Sequence, residues 1–450
     1  MAAGGRGTGV IQEATSIDQY LALFDQRLQT ANEPVWLVGL RRAAFDRFAE
    51  LGFPTLKEEE WRYTDVRPIA DTAFSQPVYD PSGLNDQIVR RRKFDDRGCH
   101  RLVFVNGFYS RELSSVGTLP AGVRVKSLAE TLDTDSELVG RYLAQQALYH
   151  SRPFVALNTA LMEDGAFVHI SRGAVLEKPV HLHFLSNEAP EPFTTFPRTL
   201  IVAEESSQVT IVESYAGLGK GTYFTNAVTE IVAGENAVLD HVKVERESLE
   251  SFHVASTQIS LDRSANFTTN NITLGGAIVR NDVGAYLGGE GIECTLNGLY
   301  MAAGKQLLDN HTRLDHAMPH CNSHELYKGI LDGQSRTVFS GKIHVHPDAQ
   351  KTDAKQTNQN LLLSPDAQAN TKPQLEIYAD DVRCTHGATI GQLSDEALFY
   401  LRARGIGKDE ARALLTNAFA SDVIGRIRVE PLREELERVV LAKLRSAGKE

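Results

Sequence analysis

Among the residues able to do chemistry, the sharpest group is Cys384-Thr385-His386-Gly387. A thiol and an imidazole two positions apart on an extended strand point to the same side. An imidazolium beside a thiol lowers its pKa and offers thiolate for sulfur transfer or for ligating a soft metal. The competing reading is an inert core cysteine, since free Cys is among the most buried residue types. The chain has 14 histidines, and His311, His316, His320 and His324 crowd one short stretch beside Cys321. On a helix the last three would share a face and could hold a transition metal. Pro319 and the strand-like surroundings argue against that helix. His344 with His346, and His181 with His183, alternate and so share a strand face; these are read as half-exposed imidazoles without a metal.

Several chemistries are excluded. Gly298–Lys305 (GLYMAAGK) has the wrong glycine spacing for a phosphate loop and Gln306 where Ser or Thr would bind Mg²⁺, so no nucleotide is expected on this chain. Neither a Gly-x-Ser-x-Gly elbow nor a His-Glu-x-x-His motif occurs, and the adjacent Asp380-Asp381 would point to opposite faces of a strand. No ATPase, serine hydrolase or zinc protease is expected. The net charge of −11 argues against nucleic acid, and the one basic run, Arg90-Arg91-Arg92-Lys93, runs straight into Asp95 and Asp96. Four cysteines in 450 residues make no disulfide framework. The N-terminal stretch lacks the apolar core of a signal peptide and no segment reads as a membrane span, so a cytoplasmic protein is expected.

Three regions must position these residues. Residues 1–150 read as mainly helical: Ile17, Leu21, Phe24 and Leu28 recur at helical spacing after Ser16 as an N-cap. A second helix follows Pro34 and ends at Gly52, and another is expected around Leu138–Leu148. Residues 151–390 change to short β-branched runs broken by Gly, Asn, Asp and Ser. Turn-then-strand units begin near Ser206, Glu235, Ser264 and Glu290, a spacing of about 25 to 30 residues that suits stacked coils. With no long helical pattern between strands, a β-solenoid fits best and a β-sandwich is the alternative. Residues 391–450 return to helix. These helices are expected to cap the end of the solenoid, and their surplus of apolar positions (Leu414, Leu415, Phe419 and Val423) marks a docking face for a partner. Removing residues from Lys408 onward should then leave the solenoid folded.

The block Lys372 to Ile406, KPQLEIYADDVRCTHGATIGQLSDEALFYLRARGI, resembles the C-terminal signature of the SufB/SufD family of iron–sulfur cluster assembly scaffolds. The resemblance extends to HCNSHELYKGI (His320 to Ile330), to KTDAKQTNQNLLLS (Lys351 to Ser364) and to EEEWRYTDV near the N-terminus, and so spans most of the chain. Gly387, where SufB typically has Glu, favours the SufD branch. The resemblance implies a mainly β fold, with a right-handed parallel β-helix core flanked by N- and C-terminal α-helical regions. It implies pairing with SufB, and docking of the ABC-type ATPase SufC on the C-terminal helices. It also implies a transient iron or iron–sulfur cluster at the SufB–SufD interface, with His386 as metal ligand and Cys384 beside it, and it leaves room for a flavin on the complex and a homodimer in isolation. The rival readings are a β-helix carbohydrate-active enzyme and a purely structural homodimer.

Overall fold

The computed structural model describes residues 8–30, 33–79, 81, 84 and 94–447; the basic run at 90–93 lies outside them. Strand accounts for 40 % of the chain and helix for 24 %, and about eight coils wind into a β-solenoid with helices at both ends. Two long sheets face each other. The first runs from Phe108–Tyr109 and His100–Val105 through Val180–Ser186 to Asn322–Leu331, Asp353–Leu362 and finally Arg383–Gly391. The second ends on Leu307–His316, Arg336–Val345 and Gln368–Ile377. Parallel neighbours need a long return connection, and here the strand of the opposite sheet serves as that connection, so no crossover helix is required.

One turn repeats in six successive coils. Ser206, Asn236, Ser264, Gly291, His320 and Lys351 all have positive φ, a period of roughly 30 residues. Each sends its N–H to a carbonyl of the next coil, on Glu235, Arg263, Glu290, Pro319, Gln350 and Asp381 in turn. His320 is therefore a corner residue and not part of a metal-binding helix. The strands between corners carry β-branched and aliphatic side chains inward, where Phe267, Ile292, Leu296, Leu308 and Phe339 form part of the main core.

The outer faces are covered by the helical ends. The first helix spans Thr8–Thr30, so Ser16 falls inside it rather than at its start. Tyr20, Phe24, Phe45, Phe48 and Trp61 bury against Phe224, Phe252 and Val254 of the second sheet. No long helix forms at 138–148: helix ends at Gly140, because the buried Glu230 carboxylate accepts the backbone N–H groups of Ala144, Gln146 and Ala147 at 2.8, 2.8 and 3.0 Å. Capturing three N–H donors there outcompetes continuation of the helix.

The C-terminal helices Lys408–Ile424 and Glu430–Ala447 do not sit on the solenoid's end. They lie along its flank, where Ala420, Val423, Ile424, Ile427, Leu432 and Leu436 meet Val242, Val244, Ile272, Leu299 and Ile330 of the first sheet. Ion pairs Lys328–Asp422 (2.8 Å), Arg428–Asp240 (2.8 Å) and Arg246–Glu435 (3.1 Å) border the seam. Val423 is fully buried there, so it holds the helix to the sheet and faces no outside partner. Burying one such side chain contributes about 1.5–3 kcal/mol, so losing several at this seam is large against the roughly 5–15 kcal/mol of net stability of a typical domain. Truncation before Lys408 is therefore expected to destabilise the solenoid and expose apolar sheet, contrary to the reading of these helices as a dispensable cap. Thermal unfolding and binding of a hydrophobic dye, compared for the full and shortened chains, check it.

Candidate functional site at the open end of the solenoid

The strand Arg383–Gly391 pairs in parallel with Asp353–Leu362, with Cys384 over Ala354, His386 over Gln356, Ala388 over Asn358 and Ile390 over Asn360. These rows continue the inward-facing columns of the coils below. One column runs Phe267, Cys294, Ser323, Ala354, Cys384, and the next runs Thr269, Leu296, Glu325, Gln356, His386. Cys384 and His386 thus share a face, as the spacing requires, at the last rung of the interior. No strand pairs beyond this one among the described residues, so His386 is exposed, while Cys384 is half-buried against the main core.

Of the two readings of the thiol, activated or inert, its surroundings favour the inert one. Burial, reinforced by the Asp353 carboxylate, pushes the Cys384 thiol above its ordinary pKa, and His386 does not reverse this. The site therefore offers an exposed imidazole beside a protonated thiol. Two donors alone cannot close a four-coordinate metal site. Cys294 and Cys321 lie buried in the core with thiols also pushed up by burial, and Cys321 donates to the Gly289 carbonyl at 3.2 Å.

Beneath His386 the interior turns polar. Gln356 Nε2 donates to Glu325 Oε2 at 2.6 Å. In the adjoining columns Asn360 Nδ2 donates to Asn358 Oδ1 (2.7 Å), Asn358 Nδ2 to Tyr300 Oη (2.9 Å), and Tyr300 Oη to Asn360 Oδ1 (2.8 Å). This explains the alternation in KTDAKQTNQN: Gln356, Asn358 and Asn360 point inward and find one another. Glu325 escaped the sequence reading, although it has the inward parity of Ser323 and Tyr327. Farther in, Glu213, His241, Lys243, Glu245, Glu247 and His253 form a buried charged cluster: His241–Glu213 at 3.1 Å, Lys243–Glu245 at 2.9 Å, His253–Glu247 at 2.8 Å. Burial by itself would raise the Glu245 carboxyl, but Lys243 and His253 outweigh it and hold the group below the usual range.

The other histidines do not converge on this site. His316 is buried, accepts or donates to Ser323 Oγ at 2.9 Å, and is pushed down to about 4 by burial. His311 stands 3.0 Å from Asp309, and His324 is exposed on the outer face of the first sheet. His181 and His183 are fully buried rather than half-exposed: His181 meets Asp96 at 2.8 Å, and both rings reach Ser214 Oγ at 2.7 Å. His344 and His346 are half-buried on the outer face of the second sheet. The EEEWRYTDV segment is positioned there too: Trp61 lies 3.8 Å from the Arg280 guanidinium, and Thr64 Oγ1 donates to Asp309 Oδ2 at 2.6 Å. Of the apolar positions on the C-terminal helices, Leu414 is 41 % exposed, Leu415 is half-buried, and Phe419 is half-buried under Lys328 Nζ at 4.4 Å.

Fold and site together define a two-sheet parallel β-solenoid that carries its thiol and imidazole at one uncovered end. Residues 184–419 match the family model described as SUF system FeS cluster assembly, SufBD core domain, and residues 14–182 match the SufBD protein N-terminal region. The chain is 36 % identical over 437 residues to an iron–sulfur cluster assembly SufBD family protein of Synechocystis, covering 95 % of each. It is 33 % identical to the iron–sulfur cluster assembly protein SufD of Escherichia coli, covering 86 % of this chain and 88 % of that one. To the Bacillus subtilis protein of the same name it is 25 % identical, covering 96 % and 98 %. The chain belongs to the SufBD family of iron–sulfur cluster assembly proteins. Among the described residues no helix is long and apolar enough to cross a membrane.

Glu325 generates a pH prediction. Burial pushes its carboxyl up to about 7, above the unfolded value of 4.5. The folded state therefore binds more protons between these values, and the stability this group allows is greatest below about pH 4.5 and is lost as pH rises towards 7. Glu325→Gln keeps an acceptor for Gln356 and removes that loss. The variant should be more stable than the parent by about 3 kcal/mol at pH 8, with the gap closing at pH 4.5; urea unfolding at the two pH values measures it.

Proposed function

We propose that this chain is a non-catalytic scaffold subunit of the Suf machinery, working in the cytoplasm. It pairs with SufB through the open end of its solenoid and carries SufC on segment 391–450. Iron and the nascent iron–sulfur cluster are cargo, assembled where His386 and Cys384 meet donors from the partner. One observation carries this reading. At the opposite end the chain folds back on each sheet as an antiparallel strand, Phe108–Tyr109 on one and Val123–Ser127 on the other. The end formed by Arg383–Gly391 and Gln368–Ile377 has no such strand among the described residues. Long regular edges of this kind are templates for another chain. Ile377, Tyr378 and Ile390 stand 39 %, 61 % and 48 % exposed along it. A Cβ at Gly387 would meet nothing within 4 Å, so this chain's own packing does not require glycine there, and its absence of a side chain leaves room for a partner backbone to approach closely.

The coordination argument supports the same reading. Imidazole and thiol suit iron, and a shared site between two chains supplies the donors that one lacks. SufC docking is supported by outward apolar residues: Phe399 (73 % exposed) and Tyr400 (56 %) on the helix Asp395–Ala403, and Leu414, with Leu415 beside it, on Lys408–Ile424. Without a properly spaced phosphate loop the chain itself should not turn over ATP.

The test is cluster content in complexes co-expressed with SufB and SufC, read by visible absorbance, iron and acid-labile sulfide. His386→Ala is expected to assemble and lose most of the cluster, and Cys384→Ser to fall between it and the parent. Equal cluster in the His386→Ala complex would overturn the site; recovery of this chain only as a homodimer would overturn the pairing.

A second expectation concerns the helices. Leu414→Asp combined with Phe399→Asp should weaken SufC retention about tenfold or more while leaving thermal unfolding close to the parent's. Unchanged retention in a pull-down would remove these residues from the docking face.

A further inference from the structure

On the outer face of the second sheet, away from the open-end thiol and imidazole, Asp315, His344 and His346 each place one ligand atom within 4.8 Å of the others. We propose that these three residues form a separate binding site for one divalent transition metal ion of the kind that takes nitrogen and oxygen donors, with Fe²⁺ as the metal it serves. Two imidazoles and one carboxylate on a single face are the donor set that holds Fe²⁺ while leaving positions open for exchange. The choice of iron rests on the family's role in cluster assembly; the site itself does not.

The backbone makes this a built arrangement. Asp315 and His344 are register partners on neighbouring strands, and Glu376 is the register partner of His344 on the next strand out. His346 follows the strand end, and its N–H donates to the His316 carbonyl at 2.9 Å, which continues the ladder. The two rings lie 4.5 Å apart, centre to centre. Donors at about 2.1 Å from a common ion stand about 3–4 Å from one another, so a small rotation of two half-buried rings closes the site.

Its surroundings match what metal-binding histidines need. His344 Nδ1 is 3.1 Å from Glu376 Oε2, a carboxylate that fixes the tautomer and leaves Nε2 for the metal. Glu376 is in turn held ionised by Lys342 Nζ at 2.7 Å. Arg313 grips both oxygens of Asp315, at 2.7 and 2.8 Å, which orients the carboxylate and leaves lone pairs on each oxygen. The Tyr378 ring, 5.4 Å from that of His344, borders the site on the side of the open end.

The experiment is a Co²⁺ titration of the full chain followed by its visible bands, repeated with Fe²⁺ under anaerobic conditions. Every protein tested carries Cys384→Ser and His386→Ala, so that the open-end site contributes nothing and its failure stays separate from this one. The expected result is one bound equivalent, weakened about tenfold to a hundredfold or more by His344→Ala/His346→Ala and by Asp315→Asn. Glu376→Gln should weaken it less, and His324→Ala, an exposed histidine on the other sheet, not at all. Binding by the double histidine variant equal to the parent overturns the site. So does unchanged binding by Asp315→Asn, which would reduce it to a surface histidine pair, or loss of the signal in His324→Ala, which would make it non-specific.

Discussion

The structure depends on register between coils. The turn at positions 206, 236, 264, 291, 320 and 351 passes its N–H to the next coil each time, and this fixes where every following strand begins. A slip of one residue would invert each strand, sending aliphatic side chains to solvent and outward charges into the core. The buried charges make the same demand more severely. Glu213 meets His241 one coil later, and Glu245 meets His253. Misalignment would strand an ionised group in the interior, at a cost of several kcal/mol for each. Apolar packing alone would tolerate sliding; paired charges do not.

The same register determines where chemistry appears. A column is inward along its whole length, and only its last member meets solvent. His386 is exposed because nothing stacks on it, although it occupies the same inward column as the buried Gln356 and Glu325. The outer faces work differently. There the helical ends cover the apolar residues around Phe224, Phe252 and Val254 of the second sheet, while the row containing Asp315, His344 and Glu376 stays partly accessible.

Much of this was legible in the sequence. The repeat of turn-then-strand units indicated a solenoid, because a corner that recurs with the same polar or glycine residues leaves a period that side-chain chemistry alone would blur. The pairing of Cys384 with His386 followed from the two-residue period of a strand. What the sequence could not give was depth. Separate strands leave Cys384 open as either an activated or an inert thiol, because burial sets its pKa and burial is a property of the neighbouring coil. Val423 looked like a docking residue because the first sheet's outer face, lined by Val242, Ile272 and Leu299, was not readable as apolar from separate strands. The helix expected at 138–148 failed for a similar reason: Glu230, far away in sequence, takes the N–H groups that would have continued it. His344 and Asp315 are distant in sequence, and only the coil period brings them side by side.

The N-terminal end of the solenoid has a consequence for assembly size. Two antiparallel strands, Phe108–Tyr109 and Val123–Ser127, terminate the sheets there. A parallel stack open at both ends would accept neighbours head to tail and grow into a filament, since that contact never closes on itself. Here the antiparallel strands stand at the N-terminal end, so a solenoid joined to another through its free edge presents no second parallel edge on which the stack could continue. Under the proposed pairing, the stack of coils then ends at two solenoids, because each chain folds back on itself at one end.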